Sequence, residues 1–191
     1  MIEFEADDAL ATAAARWADR PVVERILICS PDKDLAQCVR ADRVVLRDRR
    51  RDLTYDHGEV VAKWGVAPAS IPDLLALVGD AADGYPGLPG WGAKSAATAL
   101  ARWGSLEGIP RRASEWDVPV RNAAGLAAIL DDRRAEALFY RTLARLRTDV
   151  QLPETDPEAL RWTGAPRAAY GAFCEEIGLP RLLNRPHQWQ G

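Results

Sequence analysis

The sequence predicts an α/β fold that is mostly helical, on the evidence of two short apolar runs followed by many amphipathic segments. Residues 25–29 (RILIC) form an apolar run that stops at Ser30 and Pro31, which is typical of a buried parallel strand. Residues 43–47 (RVVLR) alternate apolar with polar side chains and predict a second strand. The charged stretch that follows this strand, residues 48–52 (DRRRD), indicates a turn or an exposed loop.

Helical periodicity and amphipathic patterning predict the remaining elements. The predicted helices cover residues 5–19, 33–39, 56–64, 71–79, 93–103, 121–130, 132–147 and 166–177. A segment dense in glycine and proline, residues 79–92, separates the fourth of these helices from the fifth. Because two strands are too few for a stable sheet, we expect further sheet elements upstream of residue 1.

Composition excludes several classes of protein. The 191 residues are 48% hydrophobic and 28% charged, which suits about one folded domain and not a disordered chain. There is no apolar run of about 18 residues, and the acidic start MIEFEADDAL lacks a signal-peptide pattern. Three cysteines without a CxxC pair argue against a disulfide framework or a zinc ribbon. We therefore expect a cytoplasmic protein that has no membrane partner.

Acidic residues gather where predicted strands end or helices begin. The three groups are Glu5, Asp7 and Asp8; Asp32 and Asp34; and Asp80 and Asp83. Asp32 and Asp34 follow the first strand at the carboxyl edge, where parallel sheets place ligand sites. Asp80 and Asp83 are three residues apart, as are Glu5 and Asp8, and such a spacing puts both side chains on one face of a helical turn.

Carboxylates without histidine or cysteine suit Mg²⁺ or Mn²⁺. Converging carboxylates repel one another unless cations lie between them, and two such ions about 4 Å apart can promote hydrolysis of a phosphodiester. The alternative is that each acidic group is a solvated surface or a partner of a helix dipole. Without the seven acids, the formal charge of the chain changes from −3 to +4, which is compatible with binding DNA phosphates.

Residues 87–95 (GLPGWGAKS) combine three glycines with the start of a predicted helix. Glycine lets the backbone approach a phosphate, the first N–H groups of a helix attract anions, and Lys94 adds a positive charge. The alternative is a plain tight turn between two helices, and for Trp91 packing is favoured over contact with DNA. A dinucleotide-binding loop is disfavoured because no strand precedes the glycines.

Arginine supplies most of the positive charge. The loop Arg47–Arg51 and the arginine-rich helix near residues 132–147 are candidate phosphate contacts, and a solvated surface is at least as good an interpretation of both. The arginines of the helical segment are Arg133, Arg134, Arg141, Arg145 and Arg147.

Several segments, in this order, resemble the bacterial 5′–3′ exonuclease or flap endonuclease family, which includes the 5′ nuclease domain of DNA polymerase I. They are EADD (5–8), ILICSPDKDL (26–35), IPDLLALVGDAADGYPGLPGWGAKSA (71–96), WGSLEGI (103–109) and LRTDVQLP (146–153). The resemblance implies a PIN-like α/β core with a helix–three-turn–helix element of the helix–hairpin–helix type. It predicts a partial core at residues 1–70, a DNA-binding region at 71–150 and a C-terminal helical segment at 151–191.

The resemblance also implies an activity, namely hydrolysis of DNA near a 5′ end, flap or nick by two Mg²⁺ or Mn²⁺ ions during replication and repair. The residues that match the family's metal-binding acids are Glu5, Asp7, Asp8, Asp32, Asp34, Asp80 and Asp83, and Asp32, Asp34 and Asp80 are expected to act in catalysis through the metal. The residues that match its DNA-binding hairpin, often with bound K⁺, are Gly87, Leu88, Gly90, Trp91, Gly92, Lys94 and Ser95.

The sequence departs from the family at its start. Family members begin with a strand that carries a further metal-binding aspartate, followed by a second acidic motif and a basic helical arch, whereas this sequence starts at the EADD motif. We therefore expect a truncated core. Three interpretations stay open at this point: a 5′ nuclease, a non-catalytic module that binds branched or duplex DNA, and a decayed or fragmentary gene product. For the nuclease, the missing half either comes from a separate chain or is absent because the start codon is misplaced.

Overall fold

A computed structural model describes residues 3–190, which divide into one unit up to Leu152 and a second from Pro153. The sheet of the first unit contains β1 (Ile26–Ile28), β2 (Val44–Asp48) and β3 (Leu53–Tyr55). β1 and β2 pair in parallel, with Ile26 opposite Val44, as the apolar run predicted. β2 and β3 pair antiparallel, with Leu46 opposite Tyr55.

The third strand is an addition to the sequence prediction, which ended at the charged turn. β3 has three residues, and Tyr55 is the buried one, so it carries too little alternation to be recognised. The turn before it is organised locally, because Asp48 Oδ1 accepts hydrogen bonds from the backbone N–H groups of Arg50 (3.0 Å) and Arg51 (3.1 Å). The sheet therefore ends in a hairpin.

The predicted helices of the first unit are present, with ends within three residues of the predicted ones, except that residues 34–38 form a short 3₁₀ helix. The helices are α1 (Ala6–Trp17), α2 (His57–Trp64), α3 (Ile71–Val78), α4 (Ala93–Trp103), α5 (Ala123–Asp132) and α6 (Arg134–Ala144). The architecture is thus the mostly helical α/β fold that the sequence predicted.

α3 is the centre of the core. Its first seven residues are buried, and it packs against α4 and α6. Burial of each large aliphatic side chain contributes about 1.5–3 kcal/mol. Its one charged residue, Asp73, accepts hydrogen bonds from Leu106 N (3.0 Å) and from Arg141 Nη1 (3.1 Å) of α6. α3 is therefore fixed on both sides by packing and by a buried ion pair.

The second unit contains α7 (Arg167–Glu176), as predicted, between short 3₁₀ helices at Pro157–Leu160 and Pro180–Asn184. A bridge between Ala165 and Trp189 closes it. The finer boundary near residue 70, between core and DNA-binding region, stays a prediction. Within residues 3–190, no single helix is long and apolar enough to cross a membrane, although one bent pair, His57–Trp64 with Pro68–Val78, meets the criteria of length and composition.

A tight hairpin follows α3. Leu88 N donates to Leu77 O (2.9 Å), and Asp80 and Tyr85 exchange two backbone hydrogen bonds. Gly79 has a φ of +87°, and a Cβ at that position would lie 2.4 Å from the carbonyl carbon of Pro86. A Cβ on Gly87 would likewise lie 2.3 Å from Gly79 N. The two sides of the hairpin touch through glycine backbone, so the hairpin cannot close with a side chain at either position.

Substitution of Gly79 by alanine tests this contact. Gly79→Ala is expected to lower the free energy of unfolding by about 3 kcal/mol or more, because the methyl group meets fixed backbone. Gly84→Ala is the matched control: its φ is +80°, but no atom lies within 4 Å of the added Cβ. It is expected to cost about 1–2 kcal/mol from the left-handed conformation alone. Urea denaturation measures both, and equal losses would contradict the backbone contact.

Candidate metal centre

Acidic side chains from three separate parts of the chain meet in one cleft of about 720 Å³. Among the acidic residues that line it are Glu5, Asp7, Asp8, Asp32, Asp34 and Asp83. The N-terminus of α1 supplies the first three, the loop after β1 supplies Asp32, and the 3₁₀ helix that follows this loop begins with Asp34. The hairpin after α3 supplies Asp83, together with the buried Asp80. The fold thus brings the three predicted acidic groups together.

Asp34, Asp80 and Asp83 form the tightest group, with one carboxylate oxygen of each within 4.8 Å of the others. The expectation that Asp80 and Asp83 share a helical turn is wrong, because α3 ends at Val78 and both residues lie in the hairpin. Asp80 Oδ1 accepts a hydrogen bond from Ala82 N (3.0 Å), which bends the loop. The loop geometry, and not helical spacing, therefore places Asp83 beside Asp80.

The residues at the start of α1 have different environments. Asp7 is half-buried, and its pKa is raised by burial and by the negative charges of Asp32, Glu5, Asp8 and Asp83. Asp8 is buried instead: its Oδ2 accepts from Glu5 N (2.9 Å) and its Oδ1 from Arg147 N (2.8 Å). Both oxygens of Asp8 therefore accept hydrogen bonds from backbone N–H groups, and this residue fixes the segment after α6 to α1. The role of Asp8 as a metal ligand stays a prediction.

The pKa values of two carboxyl groups in this cluster are shifted from their ordinary values. Burial and the charge of Asp32 raise the pKa of Asp34 to about 7. Burial alone would raise the pKa of Asp80 too, but hydrogen bonds from Lys33 and from Ala82 N outweigh it, and this pKa lies below its ordinary value. The pKa of Asp34 is thus raised and that of the neighbouring Asp80 is lowered. Such a divergence is expected where several carboxylates share too little positive charge.

Lys33 supplies the positive charge within the group. Its ammonium donates a hydrogen bond to Asp80 Oδ2 and lies 4.0 Å from Asp34 Oδ1. Burial alone would lower the pKa of Lys33, but the hydrogen bond to Asp80 and the charge of Asp34 outweigh it, so this pKa is raised. Sequence reasoning left Lys33 out of the site, although the run Asp-Lys-Asp and the presence of three lysines against 22 arginines were available as signals.

The donor set fits a hard divalent cation. It consists of carboxylate oxygens, the ligands that Mg²⁺ and Mn²⁺ prefer. Asp34 Oδ1 is buried without a hydrogen-bond partner, and so is the hydroxyl of the neighbouring Tyr85. A buried carboxylate oxygen without a partner is costly, and a cation in the cleft would satisfy it. The residues that would hold cations are Asp34, Asp80 and Asp83, with Glu5, Asp7 and Asp32 in the same cleft.

The predicted DNA-binding segment joins the hairpin to α4. Leu88 and Trp91 are buried, and the Trp91 ring lies 6.1 Å from that of Trp116, so packing is the role of both side chains. Gly87 is buried as well, so these three positions offer little accessible surface to DNA. Gly90, Gly92 and Lys94 are exposed and Ser95 is half-buried. α4 starts after Gly92 without a side-chain cap, so its first N–H groups are available to an anion.

Sequence comparison gives two matches to family profiles. Residues 1–65 match the family described as "5′-3′ exonuclease, N-terminal resolvase-like domain", and residues 66–168 match "5′-3′ exonuclease, C-terminal SAM fold". DNA polymerase I of Rhizobium leguminosarum is 41% identical over 157 residues, which are 82% of this chain and 15% of that protein. A 5′-3′ exonuclease of Aquifex aeolicus is 41% identical over 106 residues, 56% of this chain and 36% of that protein.

Structure comparison gives the same fold. A variant of T5 5′-exonuclease superposes with a TM-score of 0.62 at 20% identity, covering 76% of this chain and 56% of that one. A bacteriophage T5 flap endonuclease in complex with DNA and metal ions has a TM-score of 0.62 at 19% identity, covering 76% and 51%. The PIN-like fold that the resemblance implied is thereby confirmed.

The chain spans 15% to 36% of the length of these two curated relatives. Within that span the two family profiles follow one another without a gap, from residue 1 to residue 168. The chain belongs to the 5′-3′ exonuclease family.

Proposed function

We propose that this chain is the metal-binding and DNA-binding part of a 5′ nuclease that hydrolyses DNA phosphodiesters near a 5′ end, flap or nick, with Mg²⁺ as the natural cation. One observation carries the proposal: Asp34, Asp80 and Asp83 place carboxylate oxygens within 4.8 Å of one another in a member of this family. We assign the protein to DNA replication and repair in the cytoplasm.

The chain's own residues have distinct parts in this mechanism. Asp34, Asp80 and Asp83 would hold one cation, and Asp7, Asp32 and Glu5 line the same cleft for a second. When bound, two divalent cations activate a water molecule and neutralise the charge on the phosphate. Asp34 must release its proton from the carboxyl group before it can act as a ligand. Lys33 must give up its hydrogen bond to Asp80, which frees its ammonium for the incoming phosphate.

The glycine segment is the proposed duplex clamp. The exposed backbone of Gly90 and Gly92 and the first turn of α4 offer N–H groups to a DNA phosphate, and Lys94 adds a cation beside them. The hairpin that starts at Gly79 carries Asp80 and Asp83 on one side and leads into this clamp on the other. Duplex DNA held there would thus lie at a fixed distance from the metal cleft. K⁺ at this hairpin and a separate chain that adds further acidic ligands stay predictions.

The activity test is cleavage of a fluorescent 5′-flap DNA with and without Mg²⁺. Asp32→Ala is expected to reduce the cleavage rate by about 100-fold or more, about 2.7 kcal/mol of transition-state stabilisation, because a metal ligand is lost. Its binding of the same DNA is expected to be unchanged or tighter, since a negative charge is removed. Asp32 is exposed, so the variant is expected to fold.

Asp42→Ala is the matched control, because Asp42 is an exposed aspartate outside the cleft, and it is expected to cleave at the wild-type rate. Unchanged cleavage by Asp32→Ala would refute the role of the acidic cleft. Wild-type chain that binds the flap but leaves it intact in Mg²⁺ and in Mn²⁺ would contradict the nuclease proposal and indicate a binding module.

The raised pKa of Asp34 predicts how the stability of the metal-free chain depends on pH. Because the folded-state pKa of about 7 exceeds the ordinary value of 3.8, folding favours the protonated carboxyl. This contribution is fully present below about pH 4 and is lost as the pH rises through about 7. The metal-free protein is therefore expected to be less stable at pH 8.5 than at pH 6.

Asp34→Asn removes the ionisable group and is expected to stabilise the metal-free protein at pH 8.5 by about 1–2 kcal/mol, while flattening the decline between pH 6 and pH 8.5. Saturating Mg²⁺ is expected to raise the melting temperature of the wild type more than that of this variant. Thermal unfolding in EDTA and in Mg²⁺ measures both effects. An unchanged pH dependence in Asp34→Asn would show that another group is responsible.

A further inference from the structure

We propose that Arg145 binds a DNA phosphate within the metal cleft, which it lines together with the carboxylates. The inference rests on the proposed nuclease function and adds to it a cation supplied by the protein itself. Arg145 lines the cleft together with Asp7, Asp32, Asp34 and Asp83. A phosphate that enters this cleft meets many negative charges, so a positive group on the wall would determine how strongly it is held.

Arg145 differs from the other arginines of its segment in having, among the residues that the structure describes, no bonding partner for its guanidinium group. Four of the five candidates already have partners that use their guanidinium groups. Those partners are Glu136 for Arg133, the carbonyl oxygens of Leu106 and Ile109 for Arg134, Asp73 and Glu107 for Arg141, and Glu3 and Asp149 for Arg147. In the described part of the chain, the Arg145 guanidinium has no hydrogen bond, ion pair or ring contact.

The second arginine of the cleft shows the difference. Arg147 also lines it, but its guanidinium donates to Glu3 (2.9 Å) and to Asp149 (2.7 Å) and stacks on the Phe4 ring. Its charge is therefore compensated within the protein. Of the two arginines on the cleft wall, as far as residues 3–190 show, Arg145 is the one whose charge has no carboxylate partner.

The backbone of Arg145 is held in place. Gln37 donates from Nε2 to Ala144 O (3.0 Å) and accepts at Oε1 from Leu146 N (3.0 Å), so one side-chain amide binds the residues on both sides of Arg145. Gln37 lies in the 3₁₀ helix that begins at Asp34. The position of Arg145 is thus tied directly to the element that carries a predicted metal ligand, while its long side chain stays free to reach a substrate.

The end of a helix offers a simpler explanation for an arginine at this place. Arg145 follows the last residue of α6, where the helix dipole favours positive charge. That effect stabilises the helix but requires no position in the cleft. The two explanations differ in what removal of the guanidinium does to DNA binding, and this difference can be measured.

The experiment compares Arg145→Ala and Arg145→Lys with wild type by fluorescence anisotropy, using a 5′-flap DNA in Ca²⁺ over a series of KCl concentrations. Arg145→Ala is expected to weaken binding about tenfold at low salt and to reduce the slope of log Kd against log salt by about one. Arg145→Lys keeps the charge and is expected to retain the slope. Arg112→Ala removes an exposed arginine that pairs with Glu115 outside the cleft, and it is expected to behave as wild type.

Flaps with a 5′-phosphate and with a 5′-hydroxyl distinguish the source of the phosphate. Equal losses on both would identify an internal phosphodiester, and a loss confined to the phosphorylated flap would identify the terminal phosphate. An unchanged slope and Kd in Arg145→Ala, with a normal melting temperature and wild-type cleavage of the flap, would overturn the inference but not the nuclease function. Failure of the wild type itself to cleave would count against the function and leave the binding result to decide the role of Arg145.

Discussion

Repulsion among carboxylates that the fold forces together is the constraint on which the rest of the structure depends. Asp34, Asp80 and Asp83 cannot all be charged at such short range without nearby positive charge. Two features reduce the repulsion: the Lys33 ammonium donates a hydrogen bond to Asp80, and burial and the charge of Asp32 raise the pKa of Asp34 to about 7, so that this carboxyl can keep a proton near neutral pH. Asp34 Oδ1 still has no hydrogen-bond partner among the described residues, although the Lys33 ammonium lies 4.0 Å away. We therefore expect metal binding to release the proton of Asp34 and to displace the Lys33 ammonium from Asp80.

Tight backbone contacts elsewhere hold the acids against their repulsion. The hairpin that carries Asp80 and Asp83 closes because Gly79 and Gly87 have no side chains, and α3 below it is fixed in the core. Asp8 binds the backbone at Arg147 and thereby ties α1 to the segment after α6, while Gln37 ties that same segment to the Asp34 element. Each acidic element is therefore anchored to the rest of the fold by hydrogen bonds or by close glycine contacts.

The sequence predicted the elements better than their connections. Long amphipathic helices and the parallel strand pair have strong periodic signals, and the structure has them where expected. Strand β3 was missed because three residues carry no clear alternation. Asp80 and Asp83 were assigned to a helical turn from their spacing of three residues, although the predicted helix already ended at Gly79, and the structure places both in the hairpin after α3. The contacts of Gln37 with residues 144 and 146 join positions more than 100 residues apart and have no local signal. Arg147, unlike Arg145, pairs with Glu3, and this contact depends on long-range packing as well.

The central claim is that these carboxylates form one pocket for divalent cations, and anomalous diffraction from crystals grown in MnCl₂ tests it most directly. Mn²⁺ replaces Mg²⁺ at oxygen sites and can be located without ambiguity from its own signal. A Mn²⁺ peak is expected about 2.2 Å from carboxylate oxygens of Asp34, Asp80 and Asp83, with the Lys33 ammonium displaced from Asp80. Crystals in high Mn²⁺ that show Lys33 still bound to Asp80 and no peak in the cleft would contradict it.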